Sequence, residues 1–166
     1  MKIAIAQEIV SGLKEAGITF VCYLPDSWLK EVYQLVTEDP HFQAVLVTNE
    51  GEGVAVCAGA WLGGKGAAMI MENSGLRVAS EALARLGLGH GIPVFLVMSY
   101  RGDLGDRDWW AQPHGWTTEP MLQALRIPYR VMRRPEEIRS VMALAQDTLD
   151  SSKLPVAVLV GRELCL

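Results

Sequence analysis

The sequence predicts an α/β fold: a single three-layer α/β/α domain, residues 1–166, built on a six-stranded parallel sheet. Two patterns carry that prediction. Six short runs rich in apolar and β-branched residues alternate with segments of helical periodicity, the order that makes parallel strands with helical crossovers. The runs are apolar nearly throughout, as expected for strands covered on both faces. Composition agrees: 166 residues, 50% hydrophobic and 20% charged, suffice for one core and exclude wholesale disorder.

Ala6, Ile9, Val10, Leu13 and Ala16 mark a first helix, which Gly17 stops. Ile18–Tyr23 reads as a strand that Pro25 ends. Asp26 or Ser27 can cap a second helix with Trp28, Val32, Tyr33 and Val36 on its apolar face. A strand over Gln43–Val47 and a helix over Glu50–Leu62 follow, then a strand over Gly66–Met71 and a helix over Leu76–Leu88. Pro93–Ser99 is the fourth strand. A polar and aromatic loop spans Tyr100–Trp116 before a helix over Thr118–Leu125 and a strand over Tyr129–Met132. Pro135 suits a first helical turn, and Glu136 and Glu137 suit its positive end. Ile138, Val141, Ala145 and Leu149 form that helix's stripe, and Pro155–Val160 is the last strand.

A net charge of −4 argues against a general nucleic-acid binder. The longest uncharged apolar stretch, Gly53–Gly64, falls short of the ~20 residues that span a bilayer. No signal-peptide block fits between Lys2 and Glu8. Cys22, Cys57 and Cys165 are odd in number and far apart, so reduced, buried thiols and a cytoplasmic location are expected.

Ligands of open α/β sheets bind beyond the carboxyl ends of the strands. Four segments fall there. The first holds Glu50, at the start of a helix that lacks a polar face from Gly53 to Gly64. A helix apolar all round is buried, so a second subunit is expected against it, with Glu50 near the boundary. The second is Asn73, Ser74 and Gly75, a turn with polar groups to offer. The third carries Asp26. The fourth is the long loop with Arg101, Asp103, Asp106, Arg107, Asp108 and His114 among three tryptophans. Each also has a plain structural reading: capping carboxylates for Glu50 and Asp26, and an ordinary turn for residues 73–75. Walker-type phosphate loops, a GxGxxG turn after the first strand, HExxH and GxSxG are all missing.

In this order, LPDS (Leu24 to Ser27), NEGEGVAVCAGAWL (Asn49 to Leu62), ENSGL (Glu72 to Leu76) and the RGD…QPHG loop (Arg101 to Gly115) resemble one family. It is the pyrimidine-binding domain of thiamine-diphosphate enzymes, and within it the sulfopyruvate decarboxylase alpha subunits and related phosphonopyruvate decarboxylases. The resemblance implies that Glu50 is the catalytic carboxyl group that hydrogen-bonds the cofactor's aminopyrimidine and promotes its activation. It implies that Asn73, Ser74 and Gly75 contact the cofactor. It also places Asp26 and His114 around the substrate as catalytic groups; Arg101, by its charge, is a candidate to steer an anionic acid. The resemblance implies that full-length enzymes of this kind hold Mg²⁺ and diphosphate with a GDG motif and a downstream Asn in a second domain; the chain has GDLGD (Gly102 to Asp106) and no GDG. A separate beta subunit is therefore expected to hold that half, in a homo- or hetero-oligomer. The implied reaction is decarboxylation of a 2-oxo acid, 3-sulfopyruvate first and phosphonopyruvate second. A non-catalytic partner-binding module and a flavodoxin-like small-molecule binder are the alternatives from other classes.

Overall fold

The computed structural model describes residues 1–166. Six strands form one parallel sheet in the order β2-β1-β3-β4-β6-β5. They are β1 (Ile18–Tyr23), β2 (Gln43–Leu46), β3 (Gly66–Glu72), β4 (Phe95–Ser99), β5 (Tyr129–Met132) and β6 (Val156–Val160). The main helices are α1 (Ile3–Glu15), α2 (Lys30–Glu38), α3 (Glu50–Leu62), α4 (Gly75–Ala82), α5 (Gln112–Ala124) and α6 (Ile138–Ser152). A short α7 (Arg162–Cys165) follows β6; four residues are too few for a sequence period to show.

The central strands alternate between two cores. Ala68, Ile70, Phe95, Val97 and Val158 face α1, α2 and α6, with Ile9, Leu13, Val32, Ile138 and Met142. Ala67, Met69, Met71, Leu96, Met98 and Leu159 face α3, α4 and α5, with Val54, Cys57, Leu76 and Leu122. That is the expected three-layer arrangement, with apolar residues on both faces of each central strand. The three cysteines are free and buried. No helix is long and apolar enough to cross a membrane.

Three boundaries differ from expectation. The helix placed at Leu76–Leu88 is α-helical only to Ala82 and continues as a π-helical stretch, Leu83–Gly89. Gly87 there lies against the Pro155 ring, where a Cβ would sit 2.5 Å from Pro155 Cγ. The helix expected from Thr118 begins at Gln112 and absorbs residues 112–116 of the anticipated loop. Pro113 fits because a first-turn residue needs no N–H partner. Trp28 precedes α2, its N–H held by Asp26.

Gly53 on α3 is a close-packing point. A Cβ there would strike the Met69 sulfur and lie 3.2 Å from Val47 Cγ2. Gly53→Ala is expected to cost about 1–3 kcal/mol through overpacking, measurable by urea denaturation.

Candidate active site

The site grows from the carboxyl ends of β1 to β4. After β2, Asn49 caps α3 by accepting the Glu52 N–H at 2.9 Å. Glu52 closes the cap, accepting from Thr48 N at 2.8 Å and Thr48 Oγ1 at 2.7 Å. Those donors hold the Glu52 carboxyl below the usual range. Glu50, in the same turn, makes no hydrogen bond or ion pair within the chain and is half-buried. It rests against Gly75, where an added Cβ would overlap the Glu50 side chain, 2.7 Å from Cδ. Of the two neighbouring acids, Glu52 serves the fold and Glu50 is left available.

After β3, the turn is internally tied. Asn73 is 1% exposed. Its Nδ2 donates to the Arg101 carbonyl at 2.8 Å and to Thr118 Oγ1 at 2.9 Å, and its Oδ1 accepts from Arg101 N at 3.0 Å. Both amide hydrogens are therefore spent on joining β3, the β4 loop and α5. The Asn73 side chain, anticipated as a cofactor contact, joins three segments of the chain at the edge of the site. Ser74 Oγ donates to Glu72 Oε1 at 2.7 Å.

Arg101, anticipated at an anionic substrate, is paired within the chain. Its side chain is 3% exposed and bonds Asp106 Oδ2 at 2.9 Å and Asp108 Oδ2 at 2.5 Å. The guanidinium lies between Trp28 and Trp110, 4.5 and 4.4 Å from the ring centroids. Two carboxylates neutralise this cation, which fastens the loop to the segment after β1. Burial works to raise the Asp106 pKa, but Arg101 and the N–H groups of Gly102 and Asp108 outweigh it and hold it at about 2.

His114 lies in the first turn of α5, not in a loop. Its Nε2 is 3.7 Å from Glu72 Oε1, and its Nδ1 is 2.7 Å from Arg77 Nη2. Trp110 packs edge-on at 5.9 Å between centroids. Burial and the neighbouring Arg77 cation lower the His114 pKa, with Glu72 opposing. The imidazole is thus kept neutral to a lower pH than an ordinary histidine. Gly115 lets this turn approach the loop: a Cβ there would collide with the Gly102 carbonyl.

Asp26, expected to cap the second helix, instead caps the turn that leads into it: the N-cap position of α2 is Leu29, and no side chain caps it. Asp26 Oδ1 accepts from Trp28 N at 2.6 Å and Leu29 N at 3.1 Å, and Oδ2 accepts from the Tyr33 hydroxyl at 2.8 Å. Burial raises its pKa against these hydrogen bonds. A cap needs only an acceptor; a carboxyl biased towards protonation can also hold a proton near the site.

Contacts link the predicted residues into one cluster: Glu50 with Gly75, Ser74 and His114 each with Glu72, Asn73 with Arg101, and Arg101 with the Asp26 segment through Trp28. Glu72, Arg77 and Thr118 join them and were not singled out from the sequence. Glu72 stood inside a quoted motif. Arg77, on a helix face 37 positions from His114, left no local signal.

The outer face of α3 is apolar and uncovered in the single chain. Ala55, Val56 and Gly59 are exposed, as is Leu62 at 68%. Trp109 and Trp116 flank the site at 83% and 70% exposure. The largest clefts, about 450 Å³ each, lie elsewhere, one of them between α1 and α2.

Fold and cluster together define a class: an α/β domain with acid–base groups gathered at the carboxyl edge of its sheet. No family model matches the sequence. Sulfopyruvate decarboxylase subunit alpha of Methanothermobacter thermautotrophicus is 38% identical over 161 residues, 96% of this chain and 97% of that protein. The corresponding subunit of Methanococcus maripaludis is 32% identical over 155 residues, 93% of each. The chain belongs to the sulfopyruvate decarboxylase alpha-subunit family. Phosphonopyruvate decarboxylase of Streptomyces viridochromogenes is 32% identical over 158 residues, covering 93% of this chain and 40% of that longer protein. Among solved structures, 2-oxoglutarate:ferredoxin oxidoreductase from Magnetococcus marinus, with 2-oxoglutarate, coenzyme A and succinyl-CoA bound, superposes with a TM-score of 0.70. It is 21% identical over 100% of this chain and 30% of that one, so the fold is what they share.

Proposed function

We propose that this chain is the alpha subunit of a thiamine-diphosphate-dependent decarboxylase that converts 3-sulfopyruvate to sulfoacetaldehyde and carbon dioxide. The observation that carries the reading is Glu50: a half-buried carboxyl group at the start of α3, unpaired within the chain and backed by Gly75. Family membership supports it.

The residues present fit the cofactor's aminopyrimidine. A half-buried carboxyl group without an intrachain partner, at the start of a helix whose apolar outer face is uncovered, can meet a ring held between two chains. Glu50 would hold that ring by a hydrogen bond, and the Ser74–Gly75 turn would lie beside it. When bound, thiamine diphosphate supplies the carbanion that adds to the 2-oxo group and accepts the electron pair released with carbon dioxide. This chain's residues do the rest. Glu50 would exchange a proton with the ring as its acid–base group. His114 presents a neutral imidazole beside Glu72, able to take or give a proton at the product carbon. Asp26, whose burial favours its protonated form, is assigned as a second acid–base group. Asn73 and Arg101 act as positioning residues that keep these walls together.

The acidic side chains of the β4 loop are engaged by arginines: Asp106 and Asp108 by Arg101, and Asp103 by Arg133. Mg²⁺ and the diphosphate are therefore assigned to a separate beta subunit, packed on the α3 face. Mixing the chain with such a subunit, Mg²⁺ and thiamine diphosphate should release carbon dioxide from sulfopyruvate. Preference for phosphonopyruvate would select the second reading, which its 32% identical relative supports. Turnover of neither acid would remove both.

Gly75→Ala tests the geometry. The new methyl group must displace the Glu50 side chain, so turnover is expected to fall by about 10²-fold, as for a misplaced catalytic group. Far-ultraviolet circular dichroism should stay unchanged.

A further inference from the structure

We propose that Arg77 is a positioning residue that fixes His114 as the Nε2–H tautomer and directs that N–H towards Glu72 in the site. The inference rests on the decarboxylase reading for its purpose but not for its geometry. A guanidinium has five N–H donors and no acceptor, and it stays charged at any working pH. Its Nη2 lies 2.7 Å from His114 Nδ1. A hydrogen bond at that distance requires the Nδ1 lone pair, which puts the proton of a neutral imidazole on Nε2. Nε2 points to the Glu72 carboxyl, 3.7 Å away, which already accepts the Ser74 hydroxyl. The second Arg77 nitrogen, Nη1, donates to the Pro113 carbonyl at 3.3 Å and Thr117 Oγ1 at 3.4 Å. One α4 side chain thus grips the first turn of α5 and sets which imidazole nitrogen carries hydrogen. Without it, the ring could turn over or protonate at Nδ1, and the donor would leave the cleft.

The charged groups around the ring come from three elements: Arg77 from α4, Glu72 from β3, and Arg101 and Asp106 from the β4 loop. Arg101 and Asp106 pair with each other, which leaves Arg77 and Glu72 as the opposing influences.

The test is nitrogen-15 spectroscopy of the full chain labelled at histidine. It has three histidines, so the His114 signals are identified by comparison with His114→Asn. The wild-type chain should show an unprotonated Nδ1 and a protonated Nε2 at neutral pH. Arg77→Met should abolish that preference and raise the pH at which His114 titrates. Arg77→Lys, which retains a cationic donor, should restore most of both. A protonated Nδ1 in the wild-type chain overturns the proposal, as does identical His114 titration in wild type and Arg77→Met. In the reconstituted complex, Arg77→Met should move the acid limb of the pH–rate profile upward with little change in KM. If the tautomer depends on Arg77 as described while no 2-oxo acid is decarboxylated, the proposed function fails and the Arg77 assignment stands.

Discussion

Glu50→Gln is expected to lower turnover by about 10²–10⁴-fold in the reconstituted enzyme, the range for loss of a positioned acid–base group. Glutamine keeps the size and hydrogen-bonding outline of the side chain but cannot exchange a proton at neutral pH. Thermal unfolding should barely move, because Glu50 has no intrachain partner to lose. Its neighbour gives the contrast. Glu52→Gln weakens the bonds to Thr48 and should lower the unfolding temperature with activity largely retained. Steady-state carbon dioxide release and calorimetry on the two variants separate the roles. Unchanged turnover in Glu50→Gln would leave a partner-binding module as the better description of the chain.

Asp106→Ala should produce the largest loss of stability, about 3–5 kcal/mol, because it strips a carboxylate from a buried arginine. Both side chains of that pair are 3% exposed, and Arg101 would keep only the half-exposed Asp108. The expected fall in melting temperature is on the order of 10 °C for a chain of this size. Trp28 and Trp110 sandwich the same guanidinium, so tryptophan fluorescence should report the loss directly. Acid should act in the same direction. With Asp106 held at about 2, its contribution is complete above the ordinary carboxylate pKa of about 3.9. It is lost as pH falls from that value through about 2. Asp106→Ala should therefore flatten the acid-unfolding profile within that window.

Much of this was legible in the sequence because burial writes itself into composition. β3 and β4 are apolar without alternation since helices cover both faces, and their boundaries follow from Gly66 and Pro93. Glu50 and Asp26 were legible because both stand where a strand yields to a helix. The roles of Asn73 and Arg101 were not, because polar side chains at a strand end read the same whether they face a ligand or the interior. What decides is a set of partners 28 and 45 residues away for Asn73. Arg77 escaped for the same reason. The start of α5 was misjudged because Pro113 and Gly115 usually break helices; here one occupies a first turn and the other fits beneath the Gly102 carbonyl.

Strand alignment also bears on the chemistry. Glu72 stands opposite Ser99 in the β3–β4 ladder, so Asn73 and Arg101 meet just past the last rung. A one-residue slip would shift that rung by about 3.3 Å and turn successive side chains to the wrong face. The cluster draws on segments from Asp26 to Thr118, at the ends of four strands, so no short peptide holds more than part of it. Truncated peptides should accordingly be inert, and recovery of activity during refolding should track the slow pairing of distant strands rather than early helix formation.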